Sequence, residues 1–311
     1  MRAAYFGPSG TFTEEALLTQ SDLVAATRDP LRTIPDVIAA VEQGAADVGI
    51  VPIENSIEGS ISVTLDTLAF ESELLVQREV DLPISLNLCV KPGTGLDDVT
   101  SVASYPHAIA QCRGWLAGKL PDATVTAANS TADAAREVAR AKRTGRAAIA
   151  NALAAEVYGL ELLATDIEDH PENQTRFVVV GRGVPAATGH DKTSIVCFQR
   201  ADRPGSLLGI LQEFAARAIN LTKVESRPTK RSLGDYCFLI DFEGHVADEL
   251  VADCLRNLAA RQARVKFLGS YPVAGEESKS RRTAAGKAWR TADQWVDGIR
   301  AQLRATDDLM P

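Results

Sequence analysis

The chain has 311 residues, 45% of them hydrophobic, which exceeds what one core usually serves, since single cores stop growing near about 250–300 residues. Its formal charge of -8 disfavours nucleic acid and anionic membrane as partners, and only the Arg/Lys-rich stretch near 279–290 is locally basic. Five cysteines, odd in number and widely spaced, suggest neither a disulfide framework nor a zinc cluster and read as reduced, packed thiols. The apolar run after Met1 is too short for a signal peptide and no stretch approaches the roughly 20 apolar residues of a membrane span, so a cytoplasmic location is expected.

In chain order, short β-like runs alternate with amphipathic helices. A strand near 2–6 is followed by a helix near 12–20, a helix over 35–44, a strand over 47–53 and a helix near 61–70. A largely extended stretch near 74–91 leads into a second series. It comprises a strand 100–104, helix 106–118, strand 123–127, helix 131–143, strand 146–150, helix 151–158, and strands near 161–164 and 176–181. Two similar α/β lobes joined by a crossover are implied for residues 1–182. Helix starts are marked by the capping box Thr11-x-x-Glu14, by Pro35 after Thr33-Ile34, and by Pro106 after Ser104.

Residues 183–192 combine Gly, Pro and polar residues without periodicity and predict a linker. A compact βαββαβ pattern over 193–272 follows, with strands 194–200, 220–228, 234–243 and 264–271 and helices 205–218 and 246–261. That order gives a ferredoxin-like α+β sandwich. Residues 273–311 are Arg/Lys/Glu/Ala-rich, with a helix expected near 283–303.

Four segments could carry chemistry. Gly7-Pro-Ser-Gly-Thr11-Phe12 lies between a strand and a helix and is either a capped βα turn alone or a cradle whose N–H groups and hydroxyls face an anion. Its spacing fits neither dinucleotide nor Lys-containing phosphate loops. Val51-Pro-Ile-Glu54-Asn55-Ser56-Ile-Glu58-Gly59 ends an apolar strand where open α/β sheets bind their ligands. There Asn55 and Ser56 either cap a helix or hydrogen-bond a small acid. Ser104-Tyr-Pro-His107-Ala-Ile-Ala-Gln111-Cys112 sets His107 and Gln111 on one helix face; His107 is either a satisfied structural residue or a cleft-lining one, and a lone His does not make a metal site. Asn173-Gln-Thr175-Arg176-Phe177 places a hydroxyl, a fixed cation and an aromatic ring at the entry to the buried run Val178-Val-Val180. Arg suits a carboxylate there.

Taken together and in order, these four segments resemble the signature set of the prephenate dehydratase family. The second domain resembles the ACT family: Arg203-Pro-Gly205-Ser206-Leu207-Leu208 is similar to its Gly-Ala-Leu-Val ligand motif, and Glu225-Ser226-Arg227-Pro228 matches Glu-Ser-Arg-Pro intact. Ser206 and Leu208 depart from the common form, which bears on effector preference.

The resemblance implies two lobes similar to a type II periplasmic binding protein with the active site in the cleft between them. It also implies dimers or dimers of dimers, with phenylalanine bound between ACT domains. The family reaction takes prephenate to phenylpyruvate with loss of CO2 and water, and requires neither metal nor organic cofactor. Thr175 is the residue the resemblance assigns to the chemistry, assisting the departing hydroxyl. Thr11, Asn55, Ser56, His107, Gln111, Arg176 and Phe177 are expected to line the substrate site, with Arg176 or helix N-termini holding a carboxylate. Gly205, Ser206, Leu207, Leu208, Glu225, Ser226, Arg227 and Pro228 are expected to contact the effector. Arogenate dehydration and binding of an aromatic acid without turnover are the alternatives. The chain starts directly in the first strand, so no preceding mutase segment is expected.

Overall fold

A computed structural model describes residues 1–199, 204–230, 234–261, 264–274 and 294–301. They fall into two compact units, Met1–Gly183 and a second from Val184 onward. No helix among the described residues is long and apolar enough to cross a membrane.

The first unit holds two sheets. In one, β1 (Arg2–Phe6), β2 (Thr27–Leu31) and β3 (Val48–Asn55) are parallel neighbours in the order β2-β1-β3. The sheet continues through antiparallel β11 (Gln174–Gly181) to β5 (Leu75–Pro83), with the short β4 (Gly59–Ser60) against β3. In the other, β7 (Ser101–Ser104), β8 (Thr124–Ala127) and β9 (Arg146–Ala150) run parallel in the order β8-β7-β9, then meet antiparallel β6 (Asn87–Val90) and β10 (Glu161–Ala164). Each sheet is a parallel trio followed by an antiparallel strand and an edge strand. In each case the antiparallel strand follows a crossover, residues 84–86 before β6 and 165–173 before β11. The two crossovers are stitched together: Ile84 N donates to Asn173 O (2.9 Å), Ile167 N to Leu86 O (2.8 Å), Leu86 N to the Glu168 carboxylate (2.8 Å) and the Ser85 hydroxyl to Asp166 (2.7 Å).

Helices α1 (Phe12–Leu18), α2 (Ile34–Glu42), α6 (Thr131–Arg140) and α7 (Ala152–Tyr158) begin at side-chain caps, the hydroxyls of Thr11, Thr33 and Ser130 and the amide of Asn151. The capping box differs from the usual reciprocal form. Glu14 N does bond the Thr11 hydroxyl (3.4 Å), but the Glu14 carboxylate reaches one residue further back, to Gly10 N (2.7 Å). α3 (Ser62–Asp66) continues into a wide π-type turn over Thr67–Glu71.

The helix expected over 106–118 is broken at Cys112 into α4 (Pro106–Gln111) and α5 (Arg113–Lys119). The Asp169 carboxylate, arriving on the return crossover, takes the N–H groups of Gly114 (2.8 Å) and Trp115 (3.2 Å) and so starts a new helix. β2 went unexpected because it is an edge strand of mostly exposed residues containing Pro30, with no apolar alternation to betray it.

The core gathers residues of both sheets, Ile50, Val80, Leu88, Val102, Ile149 and Phe177 among them. Each such side chain contributes about 1.5–3 kcal/mol relative to exposure. All five cysteines are free and buried, and burial pushes the thiols of Cys89, Cys112, Cys197 and Cys254 up to about 12.

The second unit has the order β12 (Asp191–Phe198), α8 (Ser206–Ala215), β13 (Leu221–Pro228), β14 (Tyr236–Glu243), α9 (Glu249–Arg261), β15 (Arg264–Pro272). Its antiparallel sheet runs β13-β14-β12-β15. The strand expected from residue 194 starts at Asp191, whose carboxylate takes the N–H groups of Thr188 and Gly189 and closes the preceding turn. Ile195, Ile210, Phe214, Ile240, Phe242 and Leu258 form the core between sheet and helices, with Phe214 and Phe242 5.0 Å apart. Of the terminal helix, residues 294–300 are helical and residue 301 is a turn; residues 283–293 and 302–303 of the expected span lie outside the described residues.

Candidate active site

The ends of β3 and β11 meet with Thr175 opposite Asn55 and Arg176 opposite Glu54. Directly paired residues of antiparallel strands share a face and successive residues alternate, so Thr175 and Arg176 look to opposite sides of the sheet.

On the Thr175 side Asn55 is oriented by the backbone. Its Oδ1 accepts from Ile57 N and Glu58 N, both at 3.0 Å, an Asx turn that forces Nδ2 the other way. Nδ2 donates to the Thr175 hydroxyl (2.9 Å) and to Asn173 Oδ1 (2.9 Å), with Gln174 O at 3.2 Å. The network crosses to the other lobe: Asn173 Nδ2 donates to Gln111 Oε1 on α4 (3.0 Å), and Asp169 N donates to Gln111 O (2.6 Å). Thr175, Asn55, Ser56 and Gln111 are thereby brought together. At the rim His107, stacked on Tyr105, reaches Glu58 across the lobes at 2.7 Å.

The three expected hydroxyls are not equivalent. Thr11 donates to Phe6 O (3.0 Å) and Ser56 to Asn173 Oδ1 (3.2 Å), so each has spent its one hydrogen within the protein. Thr175 receives a hydrogen from Asn55, and no acceptor among the described residues takes its own. It can therefore donate to a ligand while Asn55 supports the oxygen.

Arg176 corrects an expectation. Its guanidinium does not face the Thr175 side but lies among Glu54 (3.2 Å), Asp81 (3.1 Å) and Glu79 (3.7 Å), the first two being its cross-strand partners on β3 and β5. Burial draws its pKa down, but Glu79 and the other two carboxylates outweigh this and raise it. Such a cation neutralises the sheet's own carboxylates rather than a ligand's. Phe177 is likewise a core anchor, 1% exposed and packed in the cluster that joins both sheets, rather than a cleft wall.

The Gly7–Phe12 segment docks the lobes. Tyr158 donates to Ser9 O (2.7 Å) and Asn151 Nδ2 to the Glu15 carboxylate (2.6 Å). At Gly10, φ is +84° and a Cβ would stand 3.0 Å from Ala154 Cα, so glycine serves both the turn and the contact. Thr11 itself is 8% exposed and caps α1.

Comparison with known proteins meets this geometry at its centre. The prephenate dehydratase family model matches residues 3–184, which contain every residue of the network, and the ACT domain model matches residues 193–260. The chain belongs to the prephenate dehydratase family. It is 44% identical over 312 residues to the prephenate dehydratase of Mycolicibacterium vanbaalenii, covering 96% of this chain and 97% of that one. The crystal structure of the prephenate dehydratase of Arthrobacter aurescens in complex with L-Phe is similar over 97% of this chain and 100% of that one, with 40% identity and a TM-score of 0.88. A quorum quenching acylase, GqqA, is also similar, at 29% identity and a TM-score of 0.80 over 88% of this chain and 98% of that one. Prephenate dehydratases with an ACT domain thus share this architecture: a two-lobed α/β region and a ferredoxin-like domain.

In the ACT unit, Gly205 precedes α8 at φ +86°, where a side chain is disfavoured, and Leu207 and Leu208 are exposed. Along β13 the expected effector residues divide between two faces. Glu225 pairs with Arg227 (2.8 Å) and Lys223 (3.5 Å) on one, while Ser226 and Pro228 alternate onto the other with Val224. Among the described residues no group of three or more His, Cys, Asp or Glu has metal-site geometry. In the sequence Asn173 stands out only as the first residue of Asn173-Gln-Thr175-Arg176-Phe177. Nothing about an Asn before a strand signals that it joins two lobes.

Proposed function

We propose that this chain catalyses the decarboxylative dehydration of prephenate to phenylpyruvate. The Thr175 hydroxyl would hydrogen-bond the departing C4 oxygen, with the Gln111 side-chain NH2 as a further donor to the acid. The observation that carries this reading is the Thr175 hydroxyl itself, supported from behind by Asn55 with its hydrogen left for a ligand. Loss of the ring carboxylate as CO2 supplies the electron pair that aromatises the ring as the C4–O bond breaks. The expelled oxygen takes a proton and leaves as water. A threonine is too weak an acid to yield that proton outright, so it stabilises developing charge while water delivers the proton.

Phenylalanine is proposed as the effector, acting at the ACT unit of a self-associated dimer or tetramer by favouring one of two pre-existing states. The L-Phe complex of the Arthrobacter aurescens relative supports this. At Gly205 an added Cβ meets no atom within 4 Å, yet the backbone conformation still disfavours it. Gly205→Ala should therefore blunt inhibition by phenylalanine and leave the rate without effector unchanged.

The deciding experiment incubates the purified protein with prephenate and, separately, arogenate, following phenylpyruvate and phenylalanine with and without aromatic amino acids. Turnover of arogenate alone would move the assignment to arogenate dehydratase. Turnover of neither, with binding retained, would make the chain a binding protein.

A further inference from the structure

Asn173 lies on the return crossover, 1% exposed, between the two lobes. Its backbone oxygen accepts from Ile84 on the outgoing crossover (2.9 Å). Its side chain accepts from Asn55 (2.9 Å) and Ser56 (3.2 Å) of one lobe and donates to Gln111 (3.0 Å) of the other.

The direction of these bonds is determined, not arbitrary. Two backbone N–H groups, Ile57 and Glu58, hold Asn55 Oδ1, so Asn55 can offer only its NH2 to Thr175 and Asn173. Asn173 must then turn Oδ1 to Asn55 and Nδ2 to Gln111, and Gln111 must turn Oε1 to Asn173. What remains at the far end of Gln111 is an NH2 group, a donor. One chain of amides thus leaves hydrogens, rather than lone pairs, at both Gln111 and Thr175. That is the arrangement an acceptor-rich acid needs.

We infer that Asn173 is a positioning residue that sets the polarity of the site, making Gln111 a donor and holding Asn55 behind Thr175 when the two lobes meet. The inference rests on the dehydratase reading for its meaning in catalysis, but not for its geometry. An acceptor at the Asn173 Nδ2 position would invert it. In Asn173→Asp the carboxylate has no hydrogen for Gln111 Oε1, so Gln111 flips and turns its own oxygen outward. Protonating that aspartate restores a donor and with it the original direction.

The test compares wild type, Asn173→Asp and Asn173→Ala, each checked for folding by circular dichroism and melting temperature, with prephenate as substrate from pH 8 to pH 5. The wild-type profile, run in parallel, corrects for titration of Glu58, His107, Asp169, Glu168 and His170 nearby. Expected for Asn173→Asp is a kcat/KM lowered about tenfold or more at neutral pH, the scale of one charge-assisted hydrogen bond, with the deficit shrinking as pH falls. Asn173→Ala should be impaired at every pH. In the resting proteins, the side-chain amide NMR signals of Gln111 and Asn55 should shift in Asn173→Asp at neutral pH and return toward wild type in acid.

Folded variants with kcat/KM within twofold of wild type would overturn the inference. So would a deficit in Asn173→Asp that stays flat with pH, or Gln111 amide signals that never move. Absence of wild-type turnover would instead strike the dehydratase reading, and the amide signals would still decide the inference.

Discussion

The two lobes of the first unit place an asparagine at the same point, the end of the last strand of the parallel trio, and use it differently. Asn55, the last residue of β3, is held by two backbone amides and directs its NH2 to a hydroxyl and another amide, all neutral. Asn151, after β9, caps α7 through Ala154 N (3.0 Å) and gives its NH2 to a carboxylate, Glu15 of the opposite lobe, at 2.6 Å. One asparagine supports a group whose hydrogen is still available. The other closes a charge-bearing contact between lobes. Equivalent places in a repeated topology can therefore serve reaction and assembly separately, and what separates them is the partner rather than the strand.

The sharpest way to break this contrast is at Thr175. Thr175→Ala should lower kcat by about 10²-fold or more, the usual loss on deleting one donor to developing charge, while Thr175→Ser retains most activity. Melting temperatures of both should stay close to wild type. A folded Thr175→Ala enzyme with wild-type kcat would remove the distinction between the two asparagines.

Next in size is the opposite face of the same strand. Arg176→Met removes a cation shared by Glu54, Asp81 and the 2%-exposed Glu79. Two of the three are about a third exposed, which trims the loss by screening, so a destabilisation of about 2 kcal/mol is expected in chemical denaturation. If Arg176→Met instead kept full stability and lost prephenate binding, the guanidinium would belong to the substrate after all.

The smallest effect is expected at the second lobe's asparagine contact. Burial raises the Glu15 pKa, and the hydrogen bond from Asn151 offsets this only in part. An acid whose pKa is higher folded than unfolded favours the folded state while protonated, and that contribution disappears as pH rises through the folded value. Glu15→Gln should therefore stabilise the protein by about 1 kcal/mol or less at pH 7, with the gain vanishing below the ordinary glutamate pKa of about 4.3. Thermal melts at pH 7 and pH 4 measure it, and a variant less stable than wild type at pH 7 would show the carboxylate to be favourably charged.

Much of this was legible in the residues. Periodicity and caps located most elements because Thr33, Ser130 and the apolar runs of β3, β9 and β11 act locally. The motifs at Asn55, Gln111 and Thr175 converge on one hydrogen-bond network. What failed was long-range. The break at Cys112 depends on Asp169, 55 residues from Gly114, and the orientation of Arg176 depends on which carboxylates β3 and β5 set beside it. Strand alternation alone would have warned that Thr175 and Arg176 cannot serve one ligand from one face. Asn173 was unreadable for the same reason, since its partners lie 62 to 118 residues away.

The strand that bears Thr175 enters its sheet directly from the stitched pair of crossovers, the only covalent passage between the lobes within Met1–Gly183. A lever moves least at its fulcrum. Opening about that ribbon would swing the Glu58 and His107 rim through a wide arc while Thr175 and Asn55 stay nearly still, so access could be throttled without disturbing the alignment of the reactive pair.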